Sequence, residues 1–303
     1  MKSPRPDGPV AVLTNHTAGR GRYGRLLPAV RERLATAGRP LRPLVADSAE
    51  AAEAACRDAV ADGASALVAV GGDGTLHAAL QALAGTGVPL GVVPAGTGND
   101  LATGLGFPAA PLAAADVVAA ALRAGTSRRV DLARVTGPDG TQRWFGGVLA
   151  AGFDAIVNAR ANRLRWPRGD RRYDLAIFLE LVRLRPRAYL MHLDGVPHPL
   201  SAVLVAVGNT ASYGGGIRIC PDADPTDGLL DVVVGGQMSR ITLARLRPHS
   251  YRGTHVHHRL VTSYRARQVR LAADGITTYA DGERCLPLPA TLAAVPGALA
   301  VLT

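Results

Sequence analysis

Cysteine is scarce in this 303-residue chain. Cys56, Cys220 and Cys285 are odd in number, far apart, and without a C-x-x-C pair or a nearby histidine pair. That excludes a disulfide framework and a zinc site of recognisable spacing, and it points to a reducing, cytoplasmic setting. Long apolar runs are missing as well: nothing approaches the roughly eighteen residues that a membrane-spanning helix needs, and Met1–Pro6 lacks the apolar core of a secretory signal. A membrane, if one matters, is met at its surface. Aromatic residues make up only 4% of the chain, so the core must be built from Ala, Val and Leu. Acids are in deficit, 24 against 34 basic residues that are nearly all arginine, for a formal charge of +10. Such a surface attracts nucleic acid, anionic membrane or phosphorylated small molecules, and charge alone does not choose among them. Repeats and low-complexity tracts are absent, so none of the repeat architectures applies.

What is present alternates. Apolar runs at 9–13, 41–46, 66–70 and 89–93 read as buried strands. Between them, helical spacing is found over 25–37 (Leu26, Leu27, Val30, Leu34), over 48–62 (Ala51, Ala55, Ala59, capped by Ser48), and from residue 75 to about 83. Strand–helix alternation predicts an α/β domain with a parallel sheet over 1–130. Past residue 130 the helical spacing fades. Strands predicted at 130–135, 144–149, 188–193, 203–207, 230–234, 268–272 and 277–280 suit antiparallel pairing in an all-β domain over 131–285. A helical insertion at 155–184 interrupts it and carries Arg160, Arg163, Arg165, Arg168, Arg171 and Arg172. His249, His255, His257 and His258 have no acidic partners at ligand spacing and read as loop residues.

The chemistry concentrates in two turns that follow consecutive strands, Gly71-Gly72-Asp73-Gly74-Thr75 and Pro94-Ala95-Gly96-Thr97-Gly98-Asn99-Asp100. Glycines let a backbone turn tightly and approach a ligand closely, and the amide groups that open a helix favour anions. An aspartate among them repels phosphate unless a divalent cation lies between, and Mg²⁺ takes carboxylate and phosphate oxygens together. In a parallel sheet both turns would face one crevice. From the residues alone, a plain strand-to-helix turn capped by Asp73 is an equal alternative.

The pair of turns, together with Gly152-Phe153-Asp154-Ala155, Gly208-Asn209, Tyr213-Gly214-Gly215-Gly216, the run Pro221 to Asp231 and Asp281-Gly282-Glu283, resembles the lipid kinases that include bacterial diacylglycerol kinase and its sphingosine- and ceramide-phosphorylating relatives. The resemblance spans nearly the whole chain. It implies an α/β domain like that of NAD kinase and phosphofructokinase, which holds ATP, followed by a β-sandwich that helps hold the acceptor lipid. The stretch 286–303 would return to the first domain.

By the same resemblance Asn15, His16, Thr17, Ala18 and Gly19 form a first nucleotide loop, and Arg20 stands where the family often has a basic residue that joins the network around the catalytic Mg²⁺. Gly71, Gly72, Asp73, Gly74 and Thr75 form the phosphate loop, and Gly96, Thr97 and Asn99 belong to a further nucleotide contact. Asp73 and Asp131 would join a water-mediated network around a catalytic Mg²⁺, and Glu283 would be the general base. Asp224, Asp227 and the Leu229 carbonyl would hold a second, structural Mg²⁺. Read without the family, Asp281-Gly282 is a hairpin turn bearing a solvated Glu283, and 224–229 is a sharp acidic turn. Three positions depart from the family pattern: His16 in place of proline, Leu101-Ala102-Thr103 in place of Phe-Ala-Arg, and Gly147 in place of asparagine.

The expected function is ATP- and Mg²⁺-dependent phosphorylation of a lipid hydroxyl, foremost diacylglycerol, by a cytoplasmic protein that visits anionic membrane. Nucleic acid is not an expected partner, and a homodimer is left open. An NAD kinase or another sugar-hydroxyl kinase is the first rival, and a catalytically silent nucleotide- or membrane-binding protein the second.

Overall fold

Runs of small and β-branched apolar residues, each closed by a turn, organise the first half of the chain. Strands β1 (Val10–Thr14), β2 (Leu41–Val45), β3 (Ala66–Gly71) and β4 (Leu90–Pro94) alternate with helices α1 (Leu27–Ala35), α2 (Ala49–Ala61) and α3 (Asp73–Leu83). The computed structural model describes residues 8–14, 24–164, 166 and 170–303. Every residue of β1, β3 and β4 is buried, as central strands covered on both faces require. β2 lies beside β1 at the sheet edge, where its exposed residues and Pro43 are tolerated.

The four strands pair in parallel in the order β2–β1–β3–β4. Passing from β1 to β2 and from β2 over β1 to β3 takes the chain in opposite directions across the sheet. The reversal falls between β1 and β3, and in open parallel sheets such a switch point is where ligands bind.

Helix α2 starts where the Ser48 hydroxyl accepts the Ala51 amide at 3.1 Å and turns Ala52, Cys56 and Ala59 inward. Burial pushes the Cys56 thiol up to about 12, which makes it a core residue and not a nucleophile. After β4 come α4 (Asp100–Gly104) and α5 (Pro111–Ala124). Helix α5 was not expected, because its Ala-rich run is apolar on nearly every side and shows no contrasting faces. Pro111 in its first turn and Gly125 at φ +68° after its last are the signals that delimit it.

The second half continues with β5 (Arg128–Thr136), β6 (Gln142–Phe145), β7 (Val148–Ala150), α6 (Phe153–Arg163), α7 (Asp170–Val182), β8 (Arg187–Leu193), β9 (Val196–Gly208), β10 (Leu230–Gly236), α8 (Arg240–Arg252), β11 (Val261–Ala266), β12 (Gln268–Ala272), β13 (Thr277–Ala280), β14 (Glu283–Pro287) and β15 (Ala290–Val301). Its strands pair antiparallel. They form a β-sandwich around Phe145, Leu149, Tyr189, Met191, Val205, Val232, Leu271 and Leu292.

Two compact units result, one of Met1–Leu132, Pro225–Asp227 and Val295–Thr303, the other of Ala133–Asp224 and Gly228–Ala294. The expected divide at 130 falls inside β5, and the chain rejoins the first unit at 295, not 286. The delay has a reason: Ala290–Ala293 still pair with β12. Only the end of β15 lies beside β4, in parallel at Val301 and Leu90.

Two local expectations change. The strand expected at 144–149 is two strands, because Gly146 and Gly147 give their amides to the Asp281 carboxylate and so leave the regular ladder. The histidine-rich stretch is the end of α8 and a 3₁₀ turn, Thr254–His257, not a loop. His255 is buried there, its Nε2 3.1 Å from the Ile219 carbonyl oxygen. Pro248 inside α8 disguised that helix in the sequence.

Gly152 caps α6, and a Cβ on it would stand 2.7 Å from Leu204 Cα and 3.0 Å from both Val203 O and Val205 N. Backbone cannot yield as a side chain can, so Gly152→Ala should lower the unfolding free energy by about 1–3 kcal/mol. Urea titration followed by far-ultraviolet circular dichroism measures it; an unchanged midpoint would mean that α6 lifts from β9 at no cost.

Candidate functional site

In the first unit the two glycine turns are locked together. The Ala95 amide donates to the Gly71 carbonyl at 2.8 Å, so the strands remain tied to the very end of β3. One residue on, a Cβ at Gly96 would lie 2.5 Å from Gly72 Cα, and one at Gly72 would lie 3.0 Å from Gly96 Cα. Only glycine permits that approach on either side. Asp73 begins α3, and its Oδ1 accepts the Leu101 amide of α4 at 3.0 Å, which fastens the first turn to the second.

The second turn is shaped by Asn99. It adopts φ +56°, accepts the Gly96 amide on Oδ1 at 2.8 Å and donates through Nδ2 to the Gly96 carbonyl at 3.1 Å. Thr97 and Gly98 are left exposed at its tip. The amide end of α3 opens on this junction, the end of a helix that favours anions.

Two residues that the sequence reading did not assign belong to this region. Asp100, only 9% exposed, heads α4 beside the Asp73 contact. Thr14 closes β1 in register with Val70, and its buried hydroxyl has no hydrogen-bond partner among the described residues. A lone threonine at a strand end carries no sequence signal, whereas Asp100 stood within a quoted motif. The expected first nucleotide loop, Asn15 to Arg20, lies outside the described residues.

Asp131 occupies a different place in the unit. It is buried within β5, its Oδ1 accepts the Gly297 amide at 2.8 Å, and its own amide donates to the Pro225 carbonyl at 2.7 Å. It ties together three stretches that are distant in sequence.

In the second unit, Ala280 pairs with Glu283 across a two-residue turn, Asp281 at φ +52° and Gly282 at φ +83°. This is the left-handed geometry that hairpin twist favours. The Asp281 carboxylate is buried and accepts the amides of Gly147 at 2.8 Å and Gly146 at 3.2 Å. Asn209 holds the same pair from another direction, donating from Nδ2 to the Gly146 carbonyl at 2.9 Å. A Cβ at Gly147 would sit 2.6 Å from Asp281 Oδ1. That explains why glycine stands there in this chain. Asp281 thus fixes the hairpin while Glu283, next along, is exposed.

Close by in the chain's core, Asp154 in the first turn of α6 accepts the Tyr213 hydroxyl at 2.9 Å and its neighbour Ala155's amide at 3.0 Å. Burial outweighs those bonds and raises its carboxyl to about 6. Asp231 is also raised to about 6, by burial first and then by Asp222 and Asp224. Asp224, Asp227 and Leu229, the expected second metal site, fall in the irregular stretch before β10. Among the described residues no group of three His, Cys, Asp or Glu side chains gathers as a metal site would. That expected set counts two carboxylates and one main-chain carbonyl.

The family profile described as the diacylglycerol kinase catalytic domain matches residues 9–135, and the one described as the YegS C-terminal NAD kinase beta sandwich-like domain matches residues 147–303. The chain is 44% identical over 297 residues to a protein of Mycobacterium tuberculosis strain H37Rv named "Diacylglycerol kinase", covering 97% of this chain and 95% of that one. It is 31% identical over 255 residues to a Stenotrophomonas maltophilia protein named "Probable lipid kinase YegS-like", covering 81% of each. A solved diacylglycerol kinase structure from Bacillus anthracis strain Sterne superposes with a TM-score of 0.73 at 21% identity, covering 97% of this chain and 96% of that one, a likeness of fold.

Two outcomes follow from the geometry. Gly96→Ala should leave the unit folded but weaken binding of a fluorescent ATP analogue at least tenfold, about 1.4 kcal/mol, because the turns must part to admit the methyl group; unaltered affinity would show that the contact is incidental. Asp154, raised from the ordinary value 3.8 to about 6, keeps its proton in the folded chain where the unfolded chain has lost it. Its contribution to stability therefore falls as pH rises through that window. Compared with Asp154→Asn in urea titrations, the wild type should lose roughly 2 kcal/mol of relative stability between pH 4 and pH 7, and parallel profiles would rule the assignment out.

Proposed function

The chain belongs to the diacylglycerol kinase family, kinases that phosphorylate an alcohol, and within it we propose an ATP- and Mg²⁺-dependent lipid kinase acting foremost on diacylglycerol to give phosphatidic acid. The observation that carries the reading is the interlocked pair of glycine turns, Gly72 against Gly96, with Asp73 bonded to Leu101 at the head of α3. Phosphoryl transfer asks little covalent work of a protein and much positioning, together with neutralisation of charge on the phosphates. Backbone amides at a helix start, reached only because no side chain intervenes, suit that task.

In this reading Gly71 to Thr75 cradle the phosphates, and Gly96, Thr97 and Asn99 hold the nucleotide on the facing turn. Asn15 to Arg20 are proposed to complete the nucleotide contacts. The carboxylates of Asp73 and Asp131 are all-oxygen donors of the kind a hard cation takes, and they are proposed to serve the catalytic Mg²⁺ through water. When bound, that ion would offset charge on the transferring phosphoryl group. Asp224, Asp227 and the Leu229 carbonyl, again all oxygen, are the proposed ligands of a structural Mg²⁺. Glu283 is the proposed general base: an exposed carboxylate on a hairpin held by Asp281, able to accept the proton of the lipid hydroxyl as its oxygen attacks. Asp281 positions it.

The purified protein should transfer label from γ-labelled ATP into a chloroform-extractable product with diacylglycerol in detergent micelles. Label in no lipid, with NADP formed from NAD, would replace this reading by that of an NAD kinase. Glu283→Gln should reduce kcat by about 10²- to 10⁴-fold while nucleotide affinity stays constant, and undiminished turnover would remove Glu283 from the role of base.

A further inference from the structure

Asp154 and Tyr213 form a polar contact that lies outside both the nucleotide turns and the Asp281 anchor. They belong to two runs that stand out in the sequence, Gly152-Phe153-Asp154-Ala155 and Tyr213-Gly214-Gly215-Gly216. The Tyr213 hydroxyl donates to Asp154 Oδ2 at 2.9 Å, and the other carboxylate oxygen accepts the Ala155 amide at 3.0 Å. Asp154 is only 9% exposed. Taking a carboxylate that far out of water costs free energy that these hydrogen bonds offset only in part, since burial still raises its carboxyl. For packing alone, an apolar residue in the first turn of α6 would serve better. What the carboxylate supplies is direction: it fixes where the Tyr213 ring, and the chain on either side of it, must lie.

That chain leads to Glu283 by two routes. Tyr213 packs against the cluster of Ala150, Ala155 and Tyr279. Tyr279 lies in β13, pairs with Ala150 on one side and Arg284 on the other, and precedes Ala280, the partner of Glu283. The hairpin therefore rests on the ring. The second route is main chain. Upstream of Tyr213 the amides of Asn209 and Thr210 both donate to the Gly147 carbonyl, at 2.8 and 3.2 Å, and Gly147 gives its own amide to Asp281. Downstream, Tyr213 and Ile217 exchange two main-chain bonds of 3.0 Å around three glycines at φ +60°, +81° and +97°, a turn that side chains would strain. Tyr213 is thus held along the chain from both ends, and Asp154 holds it from the side.

We propose that Asp154 and Tyr213 are positioning residues for phosphoryl transfer: through Tyr279 and Gly147 they set the hairpin of Asp281, Gly282 and Glu283, and with it the place of the Glu283 carboxylate. The reaction they serve rests on the lipid-kinase reading, whereas the mechanical coupling rests on the hydrogen bonds and packing alone. A general base acts only within hydrogen-bond reach of its proton, and a displacement of about 1 Å is enough to cost about 100-fold in rate. The nucleotide turns belong to the first unit. An effect confined to the hairpin is therefore read in kcat and not in the KM for ATP.

Two measurements on the full chain test it. Hydrogen–deuterium exchange read by mass spectrometry needs no substrate: Tyr213→Phe, which removes one oxygen and keeps the ring, should speed exchange over 280–284 and at Gly146 and Gly147 about tenfold, the scale of one lost hydrogen bond. Strands β1, β3 and β4 should exchange as before. Hairpin exchange equal to the wild type would overturn the proposal. With γ-labelled ATP and micellar diacylglycerol, Tyr213→Phe should lower kcat about 10- to 100-fold at an unaltered KM for ATP. Asp154→Ala should do the same, and the double variant should be no worse than either, because the pair acts as one unit. Losses that multiply in the double variant, or a raised KM for ATP at intact kcat, would overturn it; if Asp154→Ala disturbs α6 in circular dichroism, Tyr213→Phe decides alone. The two readings fail separately. Faster hairpin exchange in Tyr213→Phe without wild-type turnover sustains the coupling and removes the kinase assignment, whereas wild-type turnover that Tyr213→Phe leaves unchanged removes the positioning role and keeps the kinase.

Discussion

The close approach of Gly72 to Gly96 is the constraint from which the first unit's chemistry follows. Backbone packed against backbone leaves no place for a Cβ at either position, so two turns that belong to neighbouring parallel strands become one continuous backbone surface. The sheet makes this contact available by ending β3 and β4 in register, Gly71 beside Pro94. Asp73 and Asn99 make it permanent, one bonding across to Leu101 and the other closing its own turn on Gly96. The proposed phosphate-binding surface, built this way, would be formed before any ligand arrives, which lowers the ordering cost that binding would otherwise meet.

Acidic and amide side chains do two kinds of work in this protein, and their hydrogen-bond partners tell them apart. Asp131, Asp281 and Asn209 are buried and spend their acceptors and donors on main-chain groups: Gly297, the Gly146–Gly147 pair, and the Gly146 carbonyl. Asp281 and Asn209 fix a turn that has no regular ladder to hold it, and Asp131 secures the left-handed residue Gly297 inside β15. Glu283, by contrast, is exposed at the start of a strand whose position Asp281 determines. The motif Asp281-Gly282-Glu283 therefore divides its labour: the first residue anchors, the second turns, and the third faces outward.

Much of this could be read in the sequence, and the reasons differ by element. Strands β1, β3 and β4 were legible because burial on both faces demands unbroken apolar runs, and α2 because Ser48 marks its start. Helix α5 was hidden by uniformity, and α8 by Pro248 and its many polar residues. Strand β14 and the start of β15 were lost among prolines and small residues that carry weak strand signals. Of the candidate site, the paired glycine turns stood out by their spacing, and Glu283 only through the family resemblance. Thr14 and the anchoring function of Asp281 did not, since burial and partners at a distance of 134 or 135 residues are properties of the fold and not of any local pattern.

The glycine at 147 shows how a departure from a family pattern can be a physical consequence and not a loss. An asparagine there would supply a side-chain amide, but in this chain its Cβ would collide with Asp281 Oδ1. The geometry instead lets the main-chain amides of Gly146 and Gly147 meet the carboxylate directly, while Asn209, just past β9, donates its side-chain amide to the Gly146 carbonyl. What is retained is the demand that a buried carboxylate be satisfied, and the identity of the residue that satisfies it is free to vary so long as the backbone comes close enough, which at position 147 only glycine allows.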